Sequence, residues 1–119
     1  MQNKEIVKQV IKAFLDTDIE KALSYLTEDV KMGWPGFFDL APGKDAVRKF
    51  FKDVPEMISS EMGEFVEEGN KVVGTGKVTS RHANGEEKNS FFCDIYELEN
   101  GKIKEIKSYM VFEQAKTEV

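Results

Sequence analysis

The chain has 119 residues, of which 40% are hydrophobic and 11% aromatic, with nine Phe and a formal net charge of -5. That length fits one domain with a real core and is too short for two. Charges of both signs are interspersed with no basic stripe, which excludes a nucleic-acid backbone as partner, and no run approaches the roughly 18 apolar residues of a membrane span.

Two further features bear on compartment and metals. The opening residues, Met1 to Glu5, lack the charged-then-apolar design of a secretory signal, and the lone Cys93 cannot form an internal disulfide. Both fit a cytoplasmic protein. His82 is the only histidine and no Cys/His ligand spacing is present, so no His-rich metal site is expected.

In chain order, residues 4–16 carry Ile6, Val7, Val10, Ile11, Phe14 and Leu15 at helical spacing, with Asn3 as N-cap. Thr17-Asp18-Ile19-Glu20 has capping-box spacing and opens a short second helix with Ile19, Ala22, Leu23 and Leu26 inward. Val30, Met32 and Trp34 alternate with Lys31 and Gly33, so residues 29–34 read as a strand ended by Pro35-Gly36. A loop with Phe37, Phe38 and Asp39 follows. Gly43 precedes a third helix with Val47, Phe50, Phe51 and Val54 on one face, disrupted at its end by Pro55.

From about residue 60 the pattern changes. Turn signals at Gly69-Asn70, Asn84-Gly85 and Asn100-Gly101 separate four strands near 60–68, 71–82, 87–98 and 102–113. Helices first and a strand meander second make an α+β domain, residues 1–119, with helices packed on a curved antiparallel sheet.

Register decides which side chains meet. A three-residue loop, Glu99-Asn100-Gly101, sets Leu98 opposite Lys102 and Asp94 opposite Ile106. One face then carries Ser90, Phe92, Asp94 and Tyr96 with Ile106, Ser108, Met110 and Phe112. The other carries Phe91, Cys93 and Ile95 with Lys107, Tyr109 and Val111. Both faces are largely apolar, whereas a strand wetted on one side would alternate, so the outer face is expected to meet a second copy of the chain.

Asp94 is the most informative charge. On the concave face it would be desolvated and its pKa raised, making it a hydrogen-bond donor at neutral pH. The alternative is an outward Asp94, or one bridged to Lys77 or Lys107. Lys77 faces inward if Asn84-Gly85 is a tight two-residue turn and outward if the turn is bulged. Asp39, in the loop between Pro35 and Pro42, is the candidate base to partner Asp94, although an Asp near Gly and Pro commonly stabilises a turn. His82 is expected in solvent at a strand end, and Cys93 as a small buried residue. The expected lining of an apolar pocket is Trp34, Phe37, Phe38, Phe92, Tyr96, Ile106, Ser108, Met110 and Phe112, with Phe50 assigned to the core.

The order of elements, together with several short stretches, resembles the nuclear transport factor 2-like superfamily, in its SnoaL-like and ketosteroid-isomerase-related branch. The stretches are Asp18 to Leu23, Leu26 to Val30, Gly43 to Val47, Asn89 to Asp94, Asn100 to Ile103 and Ser108 to Met110. The resemblance implies a cone-shaped, cystatin-like fold, usually dimeric, with a pocket for hydrophobic small molecules and no metal or organic cofactor. It implies isomerases, cyclases, dehydratases or epoxide hydrolases working by acid–base chemistry. Only Asp94 matches a functional position, the protonated acid of the isomerase's oxyanion hole. Trp34 occupies the place of its proton-shuttling Asp, and the helix that should supply a Tyr has none, which argues against steroid isomerisation. A small hydrophobic ligand is therefore expected, with turnover or, alternatively, a non-catalytic binding or dimerisation module.

Overall fold

The computed structural model of the protein describes residues 1–114. Helix α1 (Asn3–Leu15) buries Ile6, Val7, Val10, Ile11 and Phe14 along its apolar stripe. Its N-cap is Gln2 in extended conformation with no capping side chain, so Asn3 is the first helical residue and not the cap. The helix ends with the bonds of a Schellman turn, Thr17 N–H to Phe14 O and Asp18 N–H to Ala13 O, with Thr17 at φ 59°. Helix α2 (Ile19–Leu23) is capped by Asp18, whose carboxylate accepts from the Lys21 amide, one residue later than a Thr17 capping box would place it.

Leu26 does not extend α2. It opens strand β1 (Leu26–Trp34), and the two-residue β2 (Phe38–Asp39) folds back on it, pairing Trp34 with Phe38 and Gly33 with Asp39. Helix α3 (Lys44–Lys52) ends before Asp53, leaving Val54 outside it, as the backbone preference of the residue before Pro55 requires. Arg48 of α3 clasps Glu20 of α2 through two bonds, Nε to Oε2 at 2.8 Å and Nη2 to Oε1 at 3.0 Å.

The meander follows: β3 (Glu56–Glu68), β4 (Lys71–Arg81), β5 (Glu87–Glu99) and β6 (Lys102–Phe112). With β1 and β2 it forms a six-stranded curved sheet in the order β2-β1-β6-β5-β4-β3, antiparallel except for the parallel pair β1 and β6. Helix α1 packs on β3 and β4, and α3 on β1. The core joins Val7, Val10 and Phe14 of α1 to Val72, Tyr96, Leu98, Ile103 and Ile106 of the sheet.

The β5–β6 turn differs from expectation. Asn100 and Gly101 have φ of 51° and 78°, the left-handed pair of a tight two-residue hairpin, so Glu99 faces Lys102. A bulge between Glu97 and Leu98 then moves the ladder by one more step, and Asp94 stands opposite Ser108 instead of Ile106. The total displacement is two residues. Because side chains alternate with period two, every residue keeps its assigned face. At the other hairpin Arg81 pairs with Glu87 around a wider turn, closed by His82 N–H to Glu86 O. That turn puts Lys77 opposite Phe91 on the outer face, with Nζ 5.7 Å from the ring centroid.

Glycines shape the inner surface of β4. Gly76 faces Phe92, and a Cβ there would intrude on the Phe92 ring and sit 2.7 Å from the Glu61 carbonyl oxygen. The Phe92 ring can lie over β4 only because that atom is missing. Gly76→Ala is expected to destabilise the fold by about 1–3 kcal/mol, the usual cost of overpacking, measured by urea unfolding. An unchanged midpoint would show that Phe92 has another place to go.

Candidate functional site

Between the concave face of the sheet and helices α1 and α3 lies a cavity of about 570 Å³. Trp34, Phe37, Phe38, Phe92, Tyr96, Ile106, Ser108, Met110 and Phe112 all line it, together with Asp94. Exposure separates depth from rim. Tyr96, Ile106 and Ser108 are almost fully covered, whereas Phe37 is 81% exposed and Phe112 50%. Phe50 belongs to the lining as well as to the core.

One wall is a continuous aromatic array. Phe38 stacks on Trp34 with centroids 4.5 Å apart, Phe50 tilts against Trp34 at 4.8 Å, Phe51 meets Phe50 edge-on at 5.1 Å, and Phe14 stacks on Phe51 at 4.5 Å. These rings come from β2, β1, α3 and α1, so the cavity wall also cements four elements together.

Asp94 is aimed into this apolar surface. Tyr96, two residues along the same face of β5, donates its hydroxyl to Asp94 Oδ2 at 2.9 Å. Oδ1 is buried without a hydrogen-bond partner among the described residues. Burial pushes the carboxyl from its ordinary 3.8 up to about 6, partly offset by the Ser108 side chain directly across the ladder and by Tyr96. Ser108 thus favours the charged form without reaching hydrogen-bond geometry to Oδ1. Burial, reinforced by the neighbouring Asp94 charge, holds Tyr96 well above the ordinary phenol range, so it remains a donor. Lys77 and Lys107 pair with Phe91 and Ile95 on the outer face and do not bridge Asp94.

Other residues lie elsewhere than expected. Asp39 is exposed and pairs with Gly33, whose missing Cβ leaves the space its carboxylate occupies. Since Met32 and Trp34 point into the cavity, Gly33 and Asp39 share the opposite face. The structure therefore does not bring Asp39 to Asp94. Cys93 is exposed on the outer face, not buried, because it alternates with the inward Phe92 and Asp94. His82 is half-buried and, with Ser80 and Ser90, lines the end of the cavity towards the β4–β5 turn. The common parity of Ser80, Ser90 and Asp94 across the β4–β5 ladder is the sequence signal for that cluster, once the turn is known to be wide.

A second hollow of about 560 Å³ lies on the outer side, lined by alternating charges such as Asp29, Lys31, Glu99 and Lys104. Its walls are solvated polar groups with no apolar convergence. Among the described residues, no three His, Cys, Asp or Glu side chains gather as metal ligands, and no helix is long and apolar enough to cross a membrane.

Residues 7–106 match the model of the SnoaL-like domain. The chain belongs to the SnoaL-like family. The fold of this SnoaL-like domain recurs in solved structures. A nuclear transport factor 2-like protein of unknown function from Burkholderia pseudomallei has a TM-score of 0.78 at 26% identity, over 95% of this chain and 92% of that one. TerC co-crystallised with polyporic acid has a TM-score of 0.77 at 23% identity, over 93% and 91%. An epoxide hydrolase-like structure from M. tuberculosis has 0.78 at 14% identity, over 93% and 82%. No curated protein matches the chain.

The raised Asp94 pKa has a consequence for stability. A carboxyl pKa higher in the fold than in the unfolded chain means that the native state holds its proton more tightly. Stability from this group is therefore full below about pH 4 and falls as pH rises towards 6. The change from 3.8 to about 6 corresponds to about 3 kcal/mol at most. In urea unfolding at pH 7.5, Asp94→Asn should be more stable than the natural chain by up to that amount, with little difference at pH 4. A variant less stable at both pH values would show that the carboxylate is well compensated.

Proposed function

We propose that this SnoaL-like domain binds a small, largely apolar, oxygen-bearing molecule in the cavity and moves a proton on it with Asp94. The observation that carries the reading is a single carboxyl, one oxygen of which has no partner among the described residues, inside a largely apolar cavity. Pockets of this size and lining suit drug-sized ligands. With a pKa of about 6, Asp94 is mostly ionised at neutral pH, so in the free protein it is an acceptor and base more than the hydrogen-bond donor expected from sequence. An apolar ligand that displaces water would raise the pKa further and help the same group to return the proton. One carboxyl that takes a proton from one atom and delivers it to another suffices for an isomerisation, and the same chemistry serves cyclisation or dehydration, with no redox partner or cofactor. TerC's co-crystallisation with polyporic acid supports a bound small molecule on this fold.

A second reading, binding without turnover, also has specific support. Apart from Asp94, the titratable lining residues are His82 at the far end and the two tyrosines, Tyr96 and Tyr109, so among the described residues no second carboxyl stands ready to complement the first. A ketone probe separates the two. Trp34 is the only tryptophan and lines the cavity, so 2-tetralone should quench its fluorescence saturably. If Asp94 acts as a base, exchange of the α-protons of 2-tetralone in deuterated water, followed by NMR, should accelerate. The rate should rise through about pH 6 and level off, and fall at least tenfold in Asp94→Asn. Saturable quenching with no acceleration supports the binding module. Absence of saturable quenching refutes both.

The outer face supports self-association. Phe91, Tyr109 and Val111 stand together on neighbouring strands, 45%, 45% and 67% exposed, flanked by Ile95 and Cys93. A second copy related by two-fold symmetry would cover this surface, and because Tyr109 and Val111 also line the cavity, the contact would reach its rim. A reducing cytoplasm would keep the exposed Cys93 as a thiol. Sedimentation should show a dimer in the micromolar range that Val111→Glu converts to a monomer. A natural chain that sediments as a monomer would remove the proposal.

A further inference from the structure

Several hydroxyl groups away from the cavity make short bonds, Thr79 Oγ1 to Asn89 Oδ1 at 2.6 Å, Thr17 Oγ1 to Asp16 O at 2.6 Å, and Thr75 Oγ1 from the Glu64 amide at 2.8 Å, while Thr27 Oγ1 is buried without a partner among the described residues. Those at the turn end of the cavity make no short bonds. Ser80 Oγ lies 3.4 Å from His82 Nε2 and 3.5 Å from Lys88 O, and Ser90 Oγ lies 3.5 Å from Val78 O. Good O–H···O bonds are about 2.5–3.0 Å long, so each of these contacts is weak. Ser90 is nevertheless only 3% exposed. A covered hydroxyl with only a weak partner costs free energy, and a ligand atom that completes its bonding recovers it.

This cluster is separate from the carboxylate. Ser90 and Asp94 lie on the same face of β5, four residues and so about 13 Å apart along the strand, with Phe92 between them. Ser80 and His82 lie farther out on β4. Val78, Met110 and Phe112 fill the same stretch of wall. The cavity is thus polar at two ends and apolar between. The ends also differ in kind, since one offers a carboxylate oxygen and the other offers hydroxyls and an imidazole.

We propose that Ser80, His82 and Ser90 form a second polar subsite, and that the site takes an elongated aromatic molecule oxygenated at both ends. The end at Asp94 carries a hydroxyl, and the end at the β4–β5 turn carries a carbonyl-type acceptor. The proposal rests on the reading of the cavity as a ligand site and adds the length and polarity of what enters it. A one-ended ligand would leave the serine hydroxyls as they are. A two-ended ligand satisfies both ends in one pose and binds more tightly for it.

The test compares 4-hydroxybiphenyl with 4′-hydroxybiphenyl-4-carboxamide by calorimetry on the full chain. The carboxamide should bind about tenfold more tightly, the worth of one or two completed hydrogen bonds. In a Ser80→Ala/Ser90→Ala variant that ratio should fall to within about twofold, while Lys77→Ala on the outer face should keep it. Circular dichroism and thermal melts establish that the variants fold, and a second pair, Ser80→Thr and His82→Gln, serves if the double variant does not. Equal affinities of the two compounds for the natural chain would overturn the second subsite while sparing the ligand site. A ratio that survives the serine changes would do the same. If 4-hydroxybiphenyl itself does not bind, the ligand site fails, and the subsite with it.

Discussion

A carboxylate inside an aromatic enclosure is the constraint from which the rest of this structure follows. Tyr96 holds one oxygen of Asp94 from the same strand face, two residues on, a spacing that only a pleated strand provides. The other oxygen has no partner among the described residues, so the group is neither neutralised nor fully solvated. Such a residue works against stability and is poorly explained as packing. Hydrophobic side chains of similar size would fit the same place at lower cost. Its surroundings fit the ligand-binding role proposed above.

The scaffold makes its hollow side by curvature. Bulges in β3 and between β5 and β6 bend the sheet, and α1 and α3 close over part of the hollow side. The parallel contact between β1 and β6 brings Trp34 and the short β2 to the rim, where the aromatic array spans strands and helices. The elements that hold the domain together and those that line its cavity are therefore largely the same. Phe14 and Phe50 serve both.

Much of this was legible in the residue order. Alternation in β5 and β6 assigned the inner face correctly even though the turn was read one residue too long, because the bulge added a second step and parity was preserved. The glycine-containing turns located the hairpins, and the helical stripes located α1 and α3. Asp39 was not legible. The back-folding of Phe38 and Asp39 onto β1 is a tertiary event, and pairing with Gly33 sends the carboxylate to the far side. His82 was misjudged for a related reason. Asn84-Gly85 admits both a tight and a wide turn, and only the wide one aligns Ser80 and His82 with the cavity. Cys93 followed a general tendency towards burial that its odd position in β5 overrode.

Gly76 gives the cavity an evolutionary character. The Phe92 ring rests where a side chain on β4 would otherwise stand. Glycine and alanine codons differ by a single nucleotide. That one mutational step would press on the Phe92 ring and on the β3 backbone at Glu61 together, so the position links the cavity wall to the β3–β4 hairpin. One missing methyl group thus fixes both the path of a strand and the resting place of an aromatic ring.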